Sequence, residues 1–195
     1  MHGLINLAIE LFLRDTYGAD LWSSVARKAG LGFDRFESML TYDPALTAAV
    51  TAAAADVLQR PLDAVMEDVG TFLVSPRAGE RLRRLMRFGG SSFVDFLHSL
   101  EDMPDRVRLA LPDLILPQLE LQDRGSGDFR LRGVPPFPGA GHVLLGLLRA
   151  MADDYGALAL LDLQADADGS ETILISLLDV AHATGRGFDL AAGVR

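Results

Sequence analysis

The sequence predicts an α+β fold in which a helical N-terminal lobe packs on a C-terminal antiparallel sheet with one helix inserted. Three observations predict it. Apolar residues recur at helical spacing early in the chain, with Leu4, Ile5, Ala8, Ile9 and Phe12 on one stripe. From Leu116 onward the pattern changes to short apolar runs separated by turn-rich segments. Between those runs, Val143, Leu144, Leu147, Leu148 and Met151 return to helical spacing. At 195 residues the chain can form one core or two small lobes. No repeat and no clear linker divides it.

Taken in order, the first helix carries the Leu4 stripe and ends at Tyr17-Gly18. A second spans 20–29 around Leu21, Trp22 and Val25, and a turn over 30–33 precedes a third helical region at 36–40. Asp43-Pro44 starts a helix over 45–58, because proline lacks the N–H that a first turn leaves unpaired anyway. Pro61 starts another that reaches about Leu73, with Leu62, Val65, Met66 and Val69 on one face. Ser75-Pro76 repeats the signal for a helix through Arg87, and Ser91 or Ser92 caps the helix of Phe93, Phe96, Leu97 and Leu100. Pro104 begins a short further helix. Strands at 116–121 and 129–134 flank a turn, and Pro135-Pro136-Phe137-Pro138-Gly139 makes a rigid loop. A helix at 143–154 then leads to a second hairpin, 157–163 with 172–178, and to a tail over 179–195.

Composition narrows the function classes. The chain has no cysteine, which excludes disulfides, thiolate nucleophiles and Cys-ligated metals. Its net charge of −9 opposes binding to nucleic-acid phosphates, and Lys28 is the single lysine. The Ala-rich stretch 46–58 contains Asp56 and is too short to span a bilayer, and the start lacks a basic leader. A cytoplasmic protein is the expectation. No Gly-x-Ser-x-Gly elbow, phosphate loop or HExxH motif is present, so the chain reads as a non-enzyme.

Several motifs point to one family. The opening MHGLINLAIELFLRDTYGADLW resembles the start of haem nitric oxide/oxygen-binding (H-NOX) domains, among them the sensor of soluble guanylate cyclase; the shared pattern is Met1-His2-Gly3-Leu4-Ile5-Asn6. MRFGGSSFVDFLHSLEDMPDRVRLALPDLILPQLEL resembles the family's proximal segment, and GHVLLGLLRAM the helix after its binding loop. The resemblance covers most of 1–178 as a single domain, with a distal helical subdomain at 1–60 and a proximal α+β subdomain at 61–178. It implies a haem pocket at Ile5, Leu100, Pro104, Pro117, Gly133, Pro135 and Phe137.

The chain departs from the family at two places in that pocket. The family's iron ligand is a histidine in a pattern close to Asn-Leu-Asp-x-hydrophobic-His. The matching residues are Ser99-Leu100-Glu101-Asp102-Met103-Pro104, and proline has no lone pair for iron. The family's propionate-binding Tyr-x-Ser-x-Arg falls on Gly133, Pro135 and Phe137, none of which can donate a side-chain hydrogen bond. Pro117 matches a proline that packs on the porphyrin in haem-containing members; by itself it reads as a strand-starting proline.

His98 and His142 are the fallback iron ligands. His98 lies about 120° from Pro104 around a continuous helix, so it is expected to point elsewhere. His142 starts the next helix, His2 is near the chain start and His182 is in the tail. Arg130 or Arg132 could hold a propionate from a strand. Asp166, Asp168, Gly169 and Glu171 only superficially match a calcium loop, because Ile175 stands where a bidentate glutamate belongs. Arg77, Arg81 and Arg84 recur at helical spacing as a solvated face or a docking patch for an acidic partner.

The leading expectation is an H-NOX-type sensory or regulatory domain of bacterial signal transduction that does not hold haem in the family's way. Its pocket would collapse or take an apolar small molecule. The resemblance implies an effector such as a histidine kinase or a cyclic-dinucleotide enzyme. Two alternatives stand beside it: a haem-based nitric oxide sensor with a non-standard ligand, and a ligand-free interaction module that uses the Arg77–Arg87 face. No cofactor is expected in the first and third readings; haem is the cofactor of the second. None of the three involves nucleic acid or a membrane.

Overall fold

A computed structural model describes residues 1–75, 80–114 and 116–178. The helices are α1 (Gly3–Tyr17), α2 (Ala19–Lys28), α3 (Pro44–Leu58), α4 (Leu62–Leu73), α5 (Glu80–Arg87), α6 (Phe93–Ser99), α7 (Met103–Ala110) and α8 (Ala140–Tyr155). The strands are β1 (Leu119–Asp123), β2 (Asp128–Gly133), β3 (Ala159–Ala165) and β4 (Glu171–Leu177). They form one antiparallel sheet in the order β1-β2-β4-β3, so the α+β class holds and α8 is the inserted helix.

Local chemistry accounts for the helix starts. Asp43 accepts from the Ala45 N–H at 2.9 Å with Pro44 at the first turn. Ser92 and Asp95 form a capping box, each side chain accepting from the other's backbone N–H at 3.1 Å. Pro104 is the second residue of α7, as expected of a first-turn proline. The start of the helix ending at Arg87 and the tail lie outside the described residues.

Two expectations are corrected. Residues 36–40 form a turn and no helix. The buried Glu10 carboxylate accepts from the Phe36 N–H at 2.9 Å, and the Tyr42 hydroxyl accepts from Glu37 N–H at 2.8 Å. Those side-chain partners replace the helical ladder, leaving Met39 and Leu40 exposed. The first strand begins at Leu119 and not at 116, which leaves Pro117 in the extended segment before the sheet.

Buried apolar residues fall into two clusters. One joins α1 to α4 around Phe12, Leu13, Trp22, Val50 and Met66. The other joins α6 and α8 to the sheet around Phe93, Phe96, Leu131, Leu148 and Ile175. Between them α4 and α8 pack closely because Gly70 and Gly146 face each other's backbone. A methyl on Gly70 would overlap the Val143 carbonyl, and one on Gly146 would overlap the Glu67 carbonyl.

Candidate functional site

The seam between α6 and α7 sets up the site. Residues 100–102 turn the chain, so α6 and α7 are separate helices and Pro104 is carried inward, where it is buried. Pro104 forms part of the wall of an apolar cavity of about 660 Å³ between the two lobes. Leu4, Ile5 and Ala8 of α1 supply one part of that wall, and Met103, Pro104 and Val107 of α7 another. Further parts come from Leu82, Leu85 and Met86 of α5, from the segment around Leu116 and Pro117, from Leu131 and Gly133 of β2, from the loop at Val134, Pro135 and Phe137, from Leu144 and Leu147 of α8, and from Glu171 and Ile173 of β4.

Six of the seven expected pocket positions therefore meet at one cavity: Ile5, Pro104, Pro117, Gly133, Pro135 and Phe137. Leu100 is the exception. It caps the C-terminal end of α6 and is wholly buried in the sheet-side core with Phe96 and Leu97. Phe137, at the position of the family's arginine, packs against the α1–α4 core.

The fallback ligands do not reach this wall. His98 is half exposed, its Nε2 3.9 Å from an Asp123 Oδ2 and its ring edge-on to Phe129. The continuous helix assumed for its bearing is broken at 100–102, but the outcome, a ring pointing elsewhere, stands. His142 sits in the first turn of α8 with Nδ1 3.7 Å from Asp63 and no hydrogen-bond partner. His2 caps α1, its Nδ1 accepting from Leu4 N–H at 3.2 Å, and His182 lies outside the described residues.

Arg130 and Arg132 also face away. Strand alternation puts them opposite Leu131 and Gly133, on the outer face of the sheet. Arg132 donates to the Ser170 hydroxyl at 3.0 Å and pairs with Asp168. The residues of the superficial calcium loop are thus a β3–β4 hairpin turn tied to β2, in which the Asp166 carboxylate accepts from Thr172 at 2.7 Å. Ser170 donates to Asp168 from hydroxyl and backbone, and with Arg132 nearby its carboxyl titrates at about 2.

Of the arginine row, Arg77 lies outside the described residues and only the backbone of Arg81 is described. Arg84 is exposed. Arg83 and Arg87 turn to α8, where both meet Asp154, and Arg87 lies 4.4 Å above the Tyr155 ring.

Sequence reasoning missed several wall residues. Met86 and Met103 bring two thioethers to the wall. Among the described residues its charged members are Arg106 and Glu171. Arg106 is exposed and donates to the Ser99 carbonyl at 3.1 Å, whereas Oε2 of Glu171 is shielded from water and has no hydrogen-bond partner. The alternation Glu171, Ile173, Ile175, Leu177 could have shown this carboxylate on the inner face of β4.

The residues present do not fit haem as the family attaches it. Pro104 offers iron no lone pair, and Gly133, Pro135 and Phe137 offer carboxylates no donor. What the arrangement can do is enclose an apolar molecule and present very few polar groups to it.

The Haem-NO-binding family model, HNOB, matches residues 2–158. Soluble guanylate cyclase gcy-31 of Caenorhabditis elegans is 24% identical over 182 residues, covering 93% of this chain and 24% of that protein. Soluble guanylate cyclase 89Da of Drosophila melanogaster is 20% identical over 183 residues, covering 92% and 27%. The chain thus spans about a quarter of the length of the curated relatives it matches. Among solved structures, the Fe(II) unliganded H-NOX protein from K. algicida superimposes with a TM-score of 0.79 at 16% identity, over 93% of this chain and 98% of that one. The Fe(II)NO form of an H-NOX protein from S. oneidensis gives 0.77 at 17%, over 92% and 100%.

Proposed function

The chain belongs to the haem-NO-binding family, and from that premise we propose that it is a sensory domain whose pocket takes a small apolar ligand in place of histidine-ligated haem. The observation behind this reading is the cavity itself. About 660 Å³ of half-open space is walled almost wholly by apolar side chains, and leaving such a wall facing water costs about 25 cal/mol for each Å² that a ligand could cover. Water is a poor occupant, because a buried water needs two to four polar partners and this wall has few. An apolar ligand removes the cost. The exposed Leu85 and Val134 of the wall give it a greasy entrance.

The ligand touches both lobes and so biases their relative rotation, which is the signal passed to an effector. The domain itself is not catalytic. A cyclase, as in the named relatives, a histidine kinase or a cyclic-dinucleotide enzyme is the effector class, in a bacterial cytoplasm. Among the described residues no helix is long and apolar enough to cross a membrane.

Absorbance tests this reading. Protein expressed with haem supply and passed through gel filtration is expected to show no stoichiometric Soret band, and to take up one equivalent of an uncharged solvatochromic dye. A Soret band that survives filtration overturns the reading in favour of haem with a non-standard ligand. Met86 and Met103, as the wall's thioethers, are then the first residues to replace.

A further inference from the structure

The charge at one end of the cavity narrows the ligand. Glu171 opens β4 directly across from Gly133, the first position of the absent propionate clamp. Its carboxyl group packs on the first turn of α8, where a methyl on Gly141 would come within 2.8 Å of the carboxyl carbon. The positive end of the α8 dipole favours a carboxylate there. One oxygen of that carboxylate is buried and unpartnered, and such an acceptor costs free energy until a donor reaches it. The other charge of the wall among the described residues, the Arg106 guanidinium, is already engaged at the Ser99 carbonyl and exposed to water. The place where a family member presents donors to carboxylates therefore presents an acceptor here.

We infer that Glu171 selects an apolar ligand with a single hydrogen-bond-donating head, an amine above all, and disfavours anionic amphiphiles, haem with its two carboxylates among them. This rests on the reading of the cavity as an apolar-ligand site. Burial of the alkyl body supplies affinity for any such molecule, and the head group decides between them: a donor pairs with the Glu171 carboxylate at the wall, and a second carboxylate is repelled by it.

Calorimetric titration of the full chain with decylamine, 1-decanol and decanoate, each below its micelle concentration, tests this. Decylamine is expected to bind at least about tenfold more tightly than decanoate, a ratio worth about 1.4 kcal/mol, with decanol between them. The net charge of −9 also favours the amine, so Glu171→Gln supplies the control: it is expected to bring amine and acid to within about threefold while retaining decanol. Glu171→Asp, which keeps the charge, is expected to keep the preference, and thermal melts of both variants check that they fold. Decanoate binding as tightly as decylamine, or an unchanged ratio in Glu171→Gln, overturns the inference and leaves the apolar site standing. Failure of all three ligands to bind overturns the apolar site and this inference with it.

Discussion

Replacing Gly146 with alanine tests the close α4–α8 junction between the two cores. The added methyl would overlap the Glu67 carbonyl oxygen and sit 2.8 Å from its carbon and 3.1 Å from Thr71 N. Unstrained carbon contacts lie near 3.5–4.0 Å, so α8 and α4 must separate by about 1 Å. Neither obstacle is a flexible side-chain end; both are helical backbone. Alanine gains about 1 kcal/mol over glycine in helix propensity. Overpacking at a rigid contact costs about 1–3 kcal/mol, and the separation also loosens cavity contacts at Leu144 and Leu147 of α8 and Leu73 of α4. The expected net loss is about 1–2 kcal/mol, a fall in Tm of roughly 2–8 °C for a domain of this size. Differential scanning calorimetry measures it. Gly70→Ala meets the same junction from the other helix, with Val143 C at 2.8 Å and Leu147 N at 2.9 Å. The double variant should therefore lose less than the sum of the two, since the helices separate once. A Gly146→Ala variant as stable as the parent, or full additivity of the pair, would refute the close-contact argument.

Ser92→Ala removes half the α6 capping box and is expected to cost about 1 kcal/mol in urea unfolding; an unchanged midpoint would mean the box contributes nothing. Glu10→Gln weakens a buried acceptor shared by Phe36 N–H and Arg14, whose Nε lies 2.8 Å from it, and is expected to lose about 2 kcal/mol. Hydrogen exchange should speed up at Phe36 first, and unchanged protection there would count against the contact. Asp168 has its folded pKa depressed from 3.8 to about 2, so the stability it adds is present above pH 3.8 and is lost as pH falls toward 2. Its carboxyl resonance is expected to titrate near 2 and to rise toward 3.8 in Ser170→Ala; titration near 3.8 in the parent would sink the assignment. Ala8→Phe places a ring in the cavity and is expected to abolish uptake of an uncharged dye while leaving the fold intact. Persistent uptake would place the dye elsewhere.

Much of the fold was legible because its signals are local. Asp43-Pro44, Ser92 with Asp95, and Pro104 each settle a helix start within a few residues, and alternation along β2 and β4 settles which side chains face inward. What was illegible depended on distant partners. Phe36 reads as helical until Glu10, 26 residues earlier, takes its N–H. The departure from the family's ligand and clamp motifs could be read at Pro104 and across Gly133, Pro135 and Phe137, because proline, glycine and phenylalanine carry no side-chain ligand or donor whatever the fold. Leu100 was misplaced because the pattern carries identity and not direction, and the turn at 100–102 sends it into the core. Glu171 was visible in the alternation of β4, but only the fold reveals that its neighbours are Gly141 and the cavity.

The open cavity also weighs between the readings of the pocket. A domain built as a purely structural interaction module would be expected to fill the space with larger side chains, yet Ala8, Gly133, Ala140 and Gly141 are small around it. Loss of the iron ligand alone would leave donors for the carboxylates of haem, and loss of the clamp alone would leave a bond to iron. Here both are missing and a carboxylate stands across from the clamp's first position, three changes that act in one direction. On the proposed reading, the space serves an occupant other than histidine-ligated haem. Because α1 of one core and α7, β2 and α8 of the other share that space, an occupant would touch both cores, and on the proposed reading its contacts differ between two arrangements of the lobes. Such a difference is all that a ligand needs to shift a conformational equilibrium, and its size bounds the shift. If the close α4–α8 contact serves as the pivot of that shift, weakening it by Gly146→Ala should reduce ligand coupling as well as stability.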